Sequence, residues 1–307
     1  MAGGLSDAEI RHRHEDLRIS WTALGRWEEC RQQEHLHKSG MRVPSFDGRI
    51  FLPGTVADLT MRRWLDDEDD RAPGSLALLV ESVMEEKTAD PERPIKWRGS
   101  EKSDRADIIA DIKAGMERLE PWLRTNVLPY EYEPEARGIG NVGIPHPDGT
   151  VHRVELFVAV DIAVRKTRED GTHAYALHDL KFTKNESYVT GKTLGQLAFY
   201  KLGWAAMLGT STKDVEYLSF VTPATKVLET PVYPTAEDMR VMVSRITGYA
   251  QGMWSGEYPT KKEKDSNCTY RCDVRQACPL FALPVSADGK ITFESVIAAR
   301  EWKGTKE

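Results

Sequence analysis

The tripeptide Asp179-Leu180-Lys181 places a carboxylate and an ammonium two residues apart. On a β-strand that spacing puts both side chains on one face, where they could hold a metal ion and act on the water beside it. Four other tripeptides share the acid-x-Lys pattern: Glu85-Glu86-Lys87, Asp111-Ile112-Lys113, Asp288-Gly289-Lys290 and Glu301-Trp302-Lys303. The pattern therefore has weight only in the right structural setting. The cysteines are the second chemically active set. Cys268, Cys272 and Cys278 lie together in CTYRCDVRQAC, and Cys30 stands far upstream. In a reducing compartment disulfides are disfavoured, which leaves a four-thiolate metal site or unrelated buried thiols.

The elements that must position these residues follow from hydrophobic period. At 307 residues, 40% hydrophobic and 29% charged, the chain has the make-up of one or two soluble globular domains. Its net charge of −6 argues against a protein that coats nucleic acid non-specifically but leaves room for a local basic channel. The acidic run WLDDEDD at 64–70 reads as a solvated loop. No stretch of about 18 apolar residues occurs, and the N-terminus lacks the apolar centre of a signal peptide, so a cytoplasmic setting is expected. No internal repeat is visible.

Residues 19–38 carry Trp21, Leu24, Trp27 and Cys30 or Arg31 at helical spacing, with Ser20 or Thr22 as N-cap, so Cys30 is expected on the apolar side of a helix. A second helix is expected after Gly54, a third over about 77–84, and a fourth over 103–123 with Ile108, Ile109, Ile112, Met116 and Leu119 on one stripe. On that fourth helix Asp111 and Lys113 diverge by roughly 200° and cannot share a site. From about 130 to 181 the period becomes two. Val154, Leu156, Val158, Val160 and Ile162 fall on one strand face, and Glu155, Phe157, Ala159 and Asp161 on the other. Asp-Gly turn signals in HPDGT and REDGT predict an antiparallel meander. The strand HAYALHDLKF puts Tyr175, Leu177, Asp179 and Lys181 together. A helix follows in which Gln196 and Tyr200 are i and i+4. Then come a strand, VEYLSFVTP, and a helix over about 236–253 capped by Thr235. His35 and His37 diverge on their helix and His178 points away from Asp179, so all three read as surface or core residues.

In that order, FVAVDIAV, HDLK and GQLAFY resemble the RecB-like branch of the PD-(D/E)XK nucleases, including CRISPR-associated Cas-four type and AddB-like enzymes. The opening ISWTALGRWEEC and the closing GEYPTKKEKDSNCTYRCDVRQACP resemble that branch's N-terminal motif and iron-sulphur segment. The resemblance implies an α/β fold. Its core would be of the restriction-endonuclease kind, a mixed sheet flanked by helices, with helical additions and an iron-sulphur clasp joining the N- and C-terminal segments. The domain plan is an extension over 1–18, a nuclease domain over 19–280 (helical 19–125, catalytic 126–255, cysteine segment 256–280) and a tail over 281–307.

It further implies a metal-dependent DNA exonuclease, acting on single strands or DNA ends with 5′-to-3′ polarity. The catalytic residues would be Asp161, Asp179, Lys181, Gln196 and Tyr200. Mg²⁺ or Mn²⁺ would be held by Asp161, Asp179 and the Leu180 carbonyl. A [4Fe-4S] cluster would sit on Cys30, Cys268, Cys272 and Cys278, with structural Zn²⁺ as the alternative. Recombination or CRISPR adaptation proteins, or a second copy of the chain, are candidate partners, and a phage-encoded enzyme would work in the bacterial cytoplasm. A catalytically weak or inactive DNA-end-binding protein is the competing reading. Two departures stand out. The first cysteine gap is three residues instead of two, and Asp58 stands where the family carries a metal-binding His, making Asp58 a candidate oxygen ligand.

The chemistry suits these residue types. Phosphodiester hydrolysis needs charge neutralised at the phosphate and a nucleophilic water at neutral pH, and a hard divalent ion on carboxylates supplies both. Lys181 could orient or deprotonate the water, or stabilise developing charge.

Overall fold

The structure is a computed structural model that describes residues 17–38, 48–68, 71–89, 95, 97, 99–182, 191–223 and 226–256. Cys268, Cys272, Cys278 and the rest of the closing segment lie outside them, as do Asp288, Lys290, Glu301 and Lys303. In chain order the elements are β1 (Arg18–Ser20), α1 (Trp21–Glu29), α2 (Arg31–Lys38), α3 (Gly48–Asp66), α4 (Ser75–Leu78), α5 (Val80–Thr88) and α6 (Glu101–Asn126). They continue with β2 (Glu131–Pro145), β3 (Val151–Thr167), β4 (His173–Leu180), α7 (Gly191–Leu208), β5 (Val215–Pro223), β6 (Val227–Pro231) and α8 (Ala236–Ser255). Among the described residues no helix is long and apolar enough to cross a membrane.

The chain forms two compact units. One comprises Met1–Ser45, Asn141–Leu156 and Val243–Glu307, the other Phe46–Gly140 and Phe157–Met242.

In the first unit Ser20 caps α1, its hydroxyl accepting from Ala23 N–H at 3.1 Å. The expected single helix over 19–38 is corrected. It opens with the short strand β1 and breaks at Cys30, whose extended backbone (φ −162°, ψ 110°) ends α1. Cys30 is therefore a half-buried C-cap and not a residue of an apolar helical stripe. The Trp27 ring lies 5.2 Å from the Tyr249 ring and directly over Gly252, where an added Cβ would come within 2.2 Å of it. Only glycine allows that approach. Glu34 is fully buried but satisfied, accepting from Arg26 Nε (2.7 Å) and Tyr249 OH (2.8 Å). Such pairing is what makes a buried carboxylate tolerable.

The second unit carries the larger core. Its β3 and β4 pair antiparallel from Ile162↔His178 to Thr167↔His173, β4 and β5 pair parallel, and β5 and β6 pair antiparallel, with β2 alongside β3. This is a mixed sheet flanked by helices in an α/β fold. The parallel step is made possible by α7, which carries the chain back between β4 and β5. Residues 158, 160 and 162 of this unit, like 154 and 156 of the first, are each 2% exposed or less, as their alternation predicts. Ile162, Val164 and Ala176 join Val56, Met61, Trp64, Val83, Ile112, Met116 and Leu119 in one cluster, so α3, α5 and α6 cover that sheet face. The opposite face meets α7, where Trp204 packs edge-on to Tyr175 at 6.2 Å.

Three helix expectations are corrected here. The second helix begins at Gly48 and runs through Pro53-Gly54. The breaker pair falls in its opening turns, and the burial of Leu52, Val56, Ala57, Met61, Trp64 and Leu65 overrides the local propensity. The third is two pieces, Ser75–Leu78 and Val80–Thr88. The fourth spans Glu101–Asn126, longer than its apolar stripe, with Ser100 as cap.

Candidate active site

The register of β3 on β4 brings the two strand carboxylates together. Ile162 faces His178, so one step further along the same antiparallel ladder Asp161 stands opposite Asp179, on the sheet face that meets α7. Like charges directly opposed on a sheet are unfavourable unless something compensates them.

Asp179 is 2% exposed. Its Oδ1 accepts from Gln196 Nε2 at 2.9 Å, and Gln196 Nε2 also lies 2.7 Å from Tyr200 OH. Its Oδ2 forms an ion pair with Lys181 Nζ. One turn of α7 separates Gln196 from Tyr200, so both present to the same strand. α7 can stand this close because its surroundings are apolar on most sides: Leu197, Ala198, Phe199, Trp204 and Ala205 are all buried. Asp161 Oδ2 accepts from the Leu180 N–H at 2.5 Å. The Lys181 N–H donates to Val221 O at 2.9 Å, extending the β4–β5 ladder past Leu180 and fixing the lysine at its end. Its ammonium lies 5.7 Å from the Phe220 ring centre.

Asp58, on α3, joins this group. Its Oδ1 is buried and has no hydrogen-bond partner among the described residues. Burial raises its carboxyl above the usual range, opposed by Arg62 and then Lys181. Asp161 is raised well above that range, first by burial and then by the charges of Asp179 and Asp58, although the residue as a whole keeps some exposure. Burial also raises Asp179, against the pull of Lys181. Tyr200 is likewise pushed up by burial, with Asp179 adding to the effect, and stays a neutral phenol. Three desolvated carboxyls face the Lys181 ammonium and an Arg62 that is shared with Glu135, so the group is undercompensated and a further cation would restore the balance.

All six side chains singled out in the sequence, Asp58, Asp161, Asp179, Lys181, Gln196 and Tyr200, thus meet in one place. The other described acid-x-Lys tripeptides lie on helices: Glu86 pairs with Arg63 and Lys113 with Glu81. Cys30 belongs to the first unit. His178 is a core residue, its Nδ1 2.8 Å from Ser219 Oγ and its ring edge-on to Trp122, and burial lowers its pKa to about 4.

Two charged neighbours escaped the sequence reading. Arg62 attracts Asp58 and pairs with Glu135, which also pairs with Arg137. Glu135 has φ +48°, a left-handed backbone that a non-glycine residue adopts at a cost. The available signals were Pro134, which marks an irregular strand, and the i, i+4 spacing of Asp58 and Arg62.

No family model and no curated protein matches the chain. Among solved structures, a crystal structure of a candidate exonuclease from Eubacterium rectale aligns at 10% identity and a TM-score of 0.45, over 88% of this chain and 94% of that one. At that identity and score the likeness carries neither fold nor function to this chain.

Proposed function

We propose that the site around Asp161 and Asp179 is the centre of a divalent-metal-dependent phosphodiester hydrolase acting on DNA. One observation carries the reading: two desolvated carboxylates opposed across a strand pair, with the orphaned Asp58 Oδ1 beside them, Lys181 paired to Asp179 and Arg62 shared between Asp58 and Glu135, so that negative charge is in excess. The donor set is all oxygen, which suits Mg²⁺ or Mn²⁺.

Asp161, Asp179, the Leu180 carbonyl and Asp58 would hold the ion. When bound, it supplies charge neutralisation at the phosphate and lowers the pKa of water. The remaining roles fall to the chain itself. Lys181 Nζ, held at the strand end and paired to Asp179, orients the attacking water or meets the charge that develops on the phosphate. Gln196 fixes the Asp179 carboxylate by its 2.9 Å hydrogen bond, and Tyr200 in turn fixes Gln196. The finer assignments, exonuclease action on single strands or DNA ends with 5′-to-3′ polarity, rest on the resemblance to RecB-like nucleases. So does the [4Fe-4S] cluster on Cys30 and the three later cysteines, with Zn²⁺ as its alternative.

The test is to purify the full chain anaerobically and incubate it with end-labelled single-stranded DNA and Mn²⁺ or Mg²⁺, beside Asp179→Ala and Lys181→Ala. Metal-dependent loss of label by the wild type alone is expected. A folded wild type that binds DNA ends without cutting them would sink the hydrolase reading. It would leave the DNA-end-binding protein, which the replacement of the family His by Asp58 favours.

A further inference from the structure

We propose that His146, Asp148 and His152, on the β2–β3 hairpin, form a second metal site, one for a divalent transition ion such as zinc or cobalt. None of these residues belongs to the carboxylate cluster described above.

The hairpin turn fixes the first two ligands. His146 N–H donates to Thr150 O at 2.8 Å and Gly149 N–H to His146 O at 3.0 Å, with Gly149 at φ +87°. This is a tight three-residue loop whose left-handed position takes glycine. Within it Asp148 accepts through Oδ1 from Thr150 N–H (2.9 Å) and Thr150 Oγ1 (2.6 Å). His146 Nδ1 lies 2.8 Å from the same Oδ1 and receives the Asp148 N–H at 3.2 Å. A 2.8 Å contact between this ring nitrogen and a carboxylate oxygen is favourable when a proton or another cation lies between them, so a metal ion can take the place that a proton fills in the metal-free chain.

The third ligand comes from the start of β3. His152 Nε2 is 3.8 Å from Asp148 Oδ2, and its ring stacks on that of His146 at 4.1 Å with 16° between planes. Trp254, on α8, packs against both rings at 4.7 and 5.5 Å. An aromatic wall therefore restrains both imidazoles, and the hairpin hydrogen bonds restrain the carboxylate. One ligand atom from each residue lies within 4.8 Å of the others. With metal–ligand bonds of about 2.0–2.2 Å, tetrahedral donors stand roughly 3.3–3.5 Å apart. Closing on an ion thus asks the donor atoms to draw together by about an ångström and the two rings to turn out of their stack so that both lone pairs converge on it, movements open to side chains that are partly exposed.

The donor set fixes the class of ion. Two neutral imidazoles and one carboxylate suit zinc, cobalt, nickel or copper over magnesium or calcium, and three protein ligands leave a position for water. The chain would then keep two metals apart by chemistry: a hard ion on oxygen ligands, and a borderline ion on nitrogen and oxygen.

The experiment uses the full chain carrying Asp161→Asn and Asp179→Asn, so that its outcome does not depend on the hydrolase reading. Co²⁺ is titrated and followed by visible absorption, then displaced with Zn²⁺. The expected result is a saturable ligand-field band without thiolate charge transfer. The midpoint should weaken at least about tenfold in each of His146→Gln and His152→Gln, with the metal-free variants still unfolding cooperatively. Asp148→Asn, which preserves the turn's acceptor oxygen, serves as a third variant and should weaken binding likewise. No saturable band, a band only of the thiolate type, or a midpoint indifferent to all three substitutions would overturn the proposal.

Discussion

Four aspartates of the β2–β4 meander meet two opposite fates. Asp148 and Asp170 sit in the turns, Asp161 and Asp179 on the strands. The two turns are built alike, as HPDGT and REDGT suggest. Each closes with a 2.8 Å bond between its first and last residues, has glycine at positive φ, and lets its aspartate Oδ1 accept from a threonine N–H at 2.9 Å and hydroxyl at 2.6 Å. Those donors hold both turn carboxyls below the usual range, the hydroxyl contributing most. Burial and neighbouring carboxylates push the strand pair the other way. The same side chain is satisfied by its own turn in one setting and left in need of a cation in the other. That contrast separates a carboxylate that builds the fold from one available for chemistry.

The sharpest way to break the comparison is by activity. Asp179→Ala and Asp161→Ala should each lower metal-dependent DNA cleavage by roughly a thousandfold or more, since neither charge neutralisation nor water activation survives loss of a ligand. Asp170→Ala should leave the rate within about twofold. Gln196→Ala comes next. Freed from its 2.9 Å restraint, Asp179 should cost about ten- to a hundredfold in kcat with little change in KM.

Stability should move in the reverse sense. In EDTA, Asp161→Asn relieves one of three crowded, desolvated carboxyls and should raise the unfolding free energy by on the order of 1–3 kcal/mol in a urea titration. The pH dependence follows with the same sign. Because the folded pKa of Asp161 lies above its unfolded value near 3.8, the folded state binds more protons between the two. Metal-free stability from this group therefore falls as pH rises through that window and is recovered on acidification. His178, lowered to about 4, acts oppositely: its contribution is lost as pH falls below about 6.5. Taking the wild-type profile minus that of Asp161→Asn isolates the carboxylate. The smallest effect should be at the satisfied turn. Gly171→Ala has room for a methyl but sits at φ +80°, so a loss of about 1 kcal/mol is expected from backbone strain alone.

Much of the strand framework was legible. The alternation of 154–162 gave the buried face, VEYLSFVTP is β5 from end to end, and Thr235 caps α8 with a reciprocal bond to Asp238. Local rules govern those features, so local sequence reveals them. The site was legible for the same reason: a period of two aligns Asp179 with Lys181, and a period of 3.6 aligns Gln196 with Tyr200. What escaped depends on partners distant in sequence. β6 is five residues ending in proline and exists as a strand because β5 offers it an edge. The early start of α3 comes from burial that no local breaker rule anticipates. Glu135 gains its position from Arg62, 73 residues earlier in the chain, and from Arg137.

The central claim is that Asp161 and Asp179 form a cation site, and Mn²⁺ binding tests it most directly. The full chain, cleared of metal, is titrated with Mn²⁺ and the free ion counted by electron paramagnetic resonance, alongside urea unfolding with and without the ion. The wild type should take up Mn²⁺ and unfold at higher urea when loaded, while Asp161→Asn with Asp179→Asn should lose that uptake and the added stability together. Equal uptake and equal stabilisation in the wild type and the double variant would contradict the account.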